Sequence, residues 1–158
     1  MSLELYKIAL GQLKGIGPSR ATRILGKLSS LSDLFTQSDR ELHLQTGVSF
    51  SILKEMNRGE ALFTAEKQQS FNERNHINSH FFMDEDYPRR LRQCPDAPIV
   101  LFSKGLTDLN HSNVVSVVGT RNQTEYGRKL VEELLETIQS KDLTVISGLA
   151  YGVDIHVH

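Results

Sequence analysis

Residues 114–154 read VVSVVGTRNQTEYGRKLVEELLETIQSKDLTVISGLAYGVD, and this stretch sets the fold class. Residues 114–118 are an almost wholly apolar run, the pattern of a central parallel strand covered on both faces. Thr124 is placed to cap a helix in which Leu130, Leu134 and Ile138 recur every four residues, flanked by Val131 and Leu135. Residues 143–146, Leu-Thr-Val-Ile, make the next strand. Strand, helix and strand in this order form a βαβ unit, whose crossover is right-handed in nearly all cases.

Parallel strands end on the same edge of their sheet. The turn Gly119-Thr120-Arg121 is therefore expected beside the turn over 147–152, Ser-Gly-Leu-Ala-Tyr-Gly, at the edge where open α/β sheets bind ligands. Each turn opens a helix, whose first N–H groups and dipole favour an anion. Gly119, Gly148 and Gly152 let backbone approach a ligand closely. Arg121 adds a permanent cation whose fork matches phosphate oxygens, and Thr120 and Ser147 can donate hydroxyls. The competing reading is that these glycines serve only the strand-to-helix turns and that Arg121 pairs with an acid.

The pattern disfavours a dinucleotide such as NAD. No G-x-G-x-x-G follows the first strand, and the nearby acid, Asp142, precedes the second strand instead of ending it. A Walker A loop is absent as well.

Upstream, residues 77–83 read as a strand, and Asp84-Glu85-Asp86-Tyr87-Pro88 as a turn. Pro95 and Pro98 frame a loop before the short apolar strand at 99–102. Residues 2–75 carry helical texture. Leu5, Ile8, Ala9 and Leu13 follow one face, Gly15-Ile16-Gly17-Pro18 breaks it, and Ala21, Ile24, Leu25 and Leu28 resume it. Ser38 reads as a helix cap, and a weaker break at 46–49 suggests a faint repeat of the same helix–hairpin–helix pattern. Residues 60–75 read as a polar, exposed helix leading away from this bundle. Between residues 11 and 28 stand Lys14, Arg20, Arg23 and Lys27 with no acid. Gly15, Gly17 and Arg20 are thus candidate accessory nucleic-acid contacts, through backbone amides that meet phosphate without reading sequence. Alternatively the hairpin is a packing device only.

The whole chain has 158 residues, 39% hydrophobic, with a formal charge of −1, so no global positive field marks a nucleic-acid partner. Cys94 is the only cysteine, which excludes an internal disulfide and a four-cysteine zinc site. Asp154, His156 and His158 could suggest a metal site, but their i, i+2 spacing does not share a helix face, and no metal or cofactor is expected. Arg89, Arg90 and Arg92 are expected on solvated surface, and Tyr126 and Tyr151 are the candidate stacking platforms beside the two turns. No signal peptide or membrane span is visible, so a cytoplasmic address is the default. The pattern stops inside the helix expected after the 147–152 turn. Because open parallel sheets usually have more strands, the sequence is expected to be the front part of a longer protein.

VVSVVGTRNQTEYGRKLVEELLETI, then VISGLAYGVD and His158, closely resemble the core of the DprA/Smf family. So does DEDYPRRLRQCPDAPIVLFSKG over 84–105. The resemblance implies an α/β protein. A helical, SAM-like helix–hairpin–helix domain over 1–75 precedes the N-terminal part of an extended Rossmann-like parallel sheet over 76–158. It implies a non-catalytic protein that binds single-stranded DNA and loads RecA onto it during natural transformation, dimeric at full length. By the same resemblance Gly119, Thr120 and Arg121 fall on a first phosphate loop and Ser147, Gly148 and Gly152 on a second. Asp154 matches the family acid, for which a structural role is expected. His156 departs from the small residue usual there. An enzyme reading stands beside this one: the 147–152 turn is similar to the SGG-x-x-G loop of lysine-decarboxylase-like phosphoribohydrolases, although their glutamate-bearing motif is not found before His158.

Overall fold

Ser2 starts the first helix: its Oγ accepts the Leu5 amide at 3.2 Å, and α1 runs Leu3–Gln12. Five more helices follow, α2 Pro18–Leu25, α3 Asp33–Thr36, α4 Asp39–Thr46, α5 Phe50–Glu55 and α6 Arg58–Asn75. The computed structural model describes residues 1–158, divided into two units, Met1–Asn110 and His111–His158.

The helix ends of the first unit follow local chemistry. Pro18 occupies the first turn of α2, where its missing N–H costs nothing. Ser38 caps α4 in a reciprocal box. The Glu41 amide donates to Ser38 Oγ at 3.3 Å, and the Ser38 amide donates to Glu41 Oε2 at 2.8 Å. Hydrogen bonds from the Ser38 hydroxyl and amide hold the Glu41 carboxyl below its ordinary pKa. Gly47 ends α4 at φ 73°, a left-handed position that favours glycine.

Residues 60–75 do not lead away from the bundle. Helix α6 packs along α1, burying Ala61 and Ala65 one turn apart, and Ala65 joins Leu5, Ile8 and Ala9 in one apolar cluster. Two alanines give a shallow groove that admits a second helix closely, and a polar sequence hides this because the apolar side chains α6 itself fully buries are alanines.

Strands β1 (Asn78–Phe81) and β2 (Val100–Ser103) pair antiparallel, Asn78 opposite Ser103 and Phe81 opposite Val100. They close the main core, where Phe81, Phe82, Tyr87 and Ile99 meet Leu10, Ile24, Leu34, Leu42, Leu53 and Met56. The 84–88 turn is bolted to this core by Tyr87. Its side chain is fully buried, its hydroxyl donates to the Pro98 carbonyl at 2.6 Å, and burial pushes its pKa up. His80 ties the same turn to β2, with Nδ1 2.6 Å from Asp86 Oδ2 and Nε2 2.7 Å from Ser103 Oγ. The arginine run forms a one-turn helix, α7, over Arg89–Arg92. Within it the Arg92 guanidinium donates to the Asp84 carbonyl and sits over the Tyr87 ring, so this arginine serves the turn.

The second unit holds β3 (Val114–Ser116), α8 (Glu125–Ile138), β4 (Thr144–Ile146) and the short α9 (Val153–His156). β3 and β4 pair parallel as a two-stranded sheet, Val114 opposite Thr144 and Ser116 opposite Ile146. The βαβ order is thus present, in a mixed α/β chain. The 114–118 run is not covered on both faces: Val117 is buried, while Ser116 and Val118 are exposed. On helix α8 the residues flanking the four-residue repeat are the ones turned inward. Val131 and Leu135 pack with Val117, Val145 and Val157, while Leu130 and Leu134 face solvent. The helix carries two adjacent apolar stripes, and a two-stranded sheet is wide enough to cover one.

Candidate nucleic-acid interface

The parallel register of β3 and β4 places their carboxyl ends together, and the turns that follow them touch. The Val153 amide donates to the Thr120 carbonyl at 3.1 Å. A Cβ on Gly152 would lie 2.1 Å from the Thr120 oxygen, and Gly152 itself sits at φ 90°. A Cβ on Gly119 would lie 2.6 Å from a Val153 methyl, and one on Gly148 would lie 2.8 Å from Asp154 Oδ2. These glycines therefore let one turn lie against the other. The close approach is within the protein.

The residue that joins the turns is Asp154. Its side chain is buried in the first turn of α9; Oδ1 accepts the Gly119 amide at 3.2 Å and Oδ2 accepts the Gly148 amide at 3.1 Å. One carboxylate thus clamps both turns, each with a charge-assisted hydrogen bond. Ser147 is also engaged inside. Its hydroxyl donates to the Asp154 carbonyl at 2.8 Å and accepts the Leu149 amide at 3.2 Å, with His158 Nε2 2.9 Å away. Thr120 Oγ1 accepts the Asn122 amide at 3.2 Å.

The structure brings Gly119, Thr120, Arg121, Ser147, Gly148 and Gly152 to one rim. It also divides them by what they offer. The Gly119 and Gly148 amides and the Ser147 hydroxyl already have protein partners. The amides of Thr120, Arg121, Ala150, Tyr151 and Gly152 have no protein acceptor, and the Arg121 side chain is exposed without an ion pair. Those five amides and one guanidinium are what the rim can present to an anion. Beside it, Thr124 caps α8 by accepting the Gly127 amide at 3.1 Å, and Lys129 is exposed near the start of that helix. Tyr126 and Tyr151 are 76% and 81% exposed, open enough for a base to stack on either ring. Ala150 and Tyr151 were not separable from the rest of their turn by sequence. No pattern distinguishes a free amide from one held by a carboxylate.

The hairpin of the first unit is built differently. Gly15 sits at φ 69°, whereas Gly17 has ordinary extended backbone with open space where a Cβ would go. Arg20 donates to the Gly15 carbonyl, so its guanidinium closes the hairpin. Arg23 and Lys27, on the same side of α2 and its extension, are exposed. No helix is long and apolar enough to cross a membrane, and no three His, Cys, Asp or Glu side chains are grouped to hold a metal ion.

Comparison with known proteins adds three findings. Residues 78–158 match the sequence model of the family described as DNA recombination-mediator protein A. Over 99% of its length the chain is 28% identical to protein Smf of Synechocystis sp., covering 40% of that protein. Its similarity to the DNA processing protein DprA is higher but shorter. Identity is 40% over 79 residues in Bacillus subtilis and 39% over 80 residues in Streptococcus pneumoniae, covering 27% and 28% of those proteins. The chain therefore spans two fifths or less of the length of these relatives.

Proposed function

The chain belongs to the DNA recombination-mediator protein A family, and on that premise we propose that it holds single-stranded DNA at the Asp154-clamped rim. The observation that carries this reading is the pairing of open backbone amides on both turns with the exposed Arg121 guanidinium. Backbone amides and a guanidinium recognise phosphate oxygens without reading bases, which suits a protein that must accept any strand. The clamp matters because it fixes the two turns before DNA arrives, so binding does not have to order them.

Within this reading the protein is a non-catalytic, cytoplasmic mediator that presents the strand to a recombinase of the RecA type and works as a homodimer at full length. The division expected from texture belongs to the same proposal, with a helical accessory part over 1–75 and a DNA-holding part over 76–158. The test is fluorescence anisotropy of the full-length protein with oligo-dT. Arg121→Ala should weaken binding by about 1–3 kcal/mol, the range of charge-assisted hydrogen bonds, and make it less salt-sensitive. Equal affinity and equal salt slope for Arg121→Ala and the parent would remove the rim from consideration.

A further inference from the structure

Helix α2 carries a second basic surface, in the unit that does not contain the rim. Two grooves flank the helix and share Arg20 and Arg23. One, of about 420 Å³, has Arg20, Arg23 and Lys27 on one wall and the 46–49 turn on the other. The second, of about 330 Å³, runs past Gly15, Gly17 and Ser19. No acidic side chain lines either groove. In a chain whose formal charge is −1, such a continuous acid-free surface is a local departure from the average.

The three cations differ in what they can do. Arg20 is half-buried and its guanidinium holds the Gly15 carbonyl, so it shapes the hairpin. Arg23 is exposed, and a guanidinium has five donors. Lys27 is exposed and donates one bond across the groove to the Thr46 carbonyl at 3.1 Å, leaving two ammonium donors. Positions 20, 23 and 27 follow i, i+3, i+7 spacing, which aligns them on one side of the helix and the turn continuing it. Arg23 and Lys27 thus bring a double charge to a groove already framed by Arg20.

We propose that this surface grips the phosphate backbone of duplex DNA, through Arg23 and Lys27. The sign of the charge selects a polyanion. The choice of duplex over single strand rests on two points. First, no aromatic side chain lines either groove, so the usual platform for an unpaired base is absent from their walls. Second, a contact made of charge alone responds to charge density, and a duplex carries one phosphate charge per ~1.7 Å of axis. The rim, with Tyr126 and Tyr151 beside it, offers the stacking that this surface lacks. The two surfaces would sort single from double strands by that difference. The proposal adds a second site: its duplex arm stands apart from the rim reading, while the oligo-dT arm and the sorting of strands rest on that reading.

The experiment uses the full-length protein, a duplex of about two helical turns and oligo-dT, each titrated across a salt series. Arg23→Gln/Lys27→Gln should weaken duplex binding on the order of tenfold and flatten its log–log salt slope by about 1.8, or roughly 0.9 for each phosphate no longer neutralised. Its oligo-dT affinity should stay within about twofold of the parent's, because stacking at the rim is untouched. The charge-retaining pair Arg23→Lys/Lys27→Arg should bind duplex like the parent, which separates removal of charge from a disturbed fold. Three results would overturn the proposal: a parent with no measurable duplex binding, a glutamine pair with unchanged duplex affinity, or a charge-retaining pair that falls as far as the glutamine pair. Arg121→Ala serves as the cross-control. If it leaves oligo-dT binding unchanged, the rim reading fails while the duplex result stands.

Discussion

The rim and the α2 hairpin both rest on glycine, for opposite reasons. At the rim the glycines are compressed: Gly119, Gly148 and Gly152 each lack the space a Cβ needs, because one turn lies on the other and a carboxylate sits between them. In the hairpin the space is open, and only Gly15 is needed, for its left-handed backbone. The rim is closed by a buried anion and offers amides. The hairpin is closed by a half-buried cation and offers more cations. Two glycine-bearing motifs that look alike in sequence thus differ in what substitution would do to them.

That contrast can be tested by its largest predicted effect first. Gly152→Ala combines a disfavoured φ with a 2.1 Å approach to the Thr120 oxygen, and backbone on both sides cannot yield. It should destabilise the second unit by about 3 kcal/mol or more, read as an early loss of its amide signals in NMR-monitored denaturation. Asp154→Asn comes next. The amide can keep one acceptor but turns an NH₂ toward the other backbone N–H, leaving a part-buried donor unmet. A decrease of about 2–3 kcal/mol is expected in urea unfolding. A neutral Asp154→Asn would show that the clamp is not what joins the turns.

A smaller effect lies in the same unit as the hairpin, at α4, whose start is fixed by a local cap. Ser38 holds the Glu41 carboxyl below its ordinary pKa, so the capping box contributes stability above the unfolded carboxyl pKa. That contribution fades as pH falls through the lowered folded value. Ser38→Ala should return the Glu41 titration toward 4.5 in a carbon-detected NMR pH series. It should also cost about 1 kcal/mol at neutral pH. Gly17→Ala stands at the low end: with free space and extended backbone, it should change stability by less than about 0.5 kcal/mol in the same urea titration. If Gly17→Ala proved as damaging as Gly152→Ala, the distinction between compressed and open glycines would fail.

Caps and pairings between near neighbours were legible in the sequence. Ser38 and Thr124 stand immediately before the helices they cap, and two apolar runs separated by a helical pattern pair in parallel. The second unit's packing was harder to read. Leu130, Leu134 and Ile138, with Val131 and Leu135 beside them, mark one broad apolar face, and periodicity does not say which part of it meets the sheet. Val131 and Leu135 won. The α6 contact with α1 escaped because Ala61 and Ala65 leave almost no hydrophobic signal.

By itself the sequence determined the α/β class, the helical texture of the first 75 residues and the turns that meet at one rim, because each depends on spacing within a few tens of residues. Only the tertiary structure decided which groups at that rim are free. A carboxylate at position 154 and an amide at 119 are far apart along the chain, and hydrogen-bonding capacity is allotted by proximity in space. The same reason separates Arg20, drawn back onto the Gly15 carbonyl, from the exposed Arg23 and Lys27.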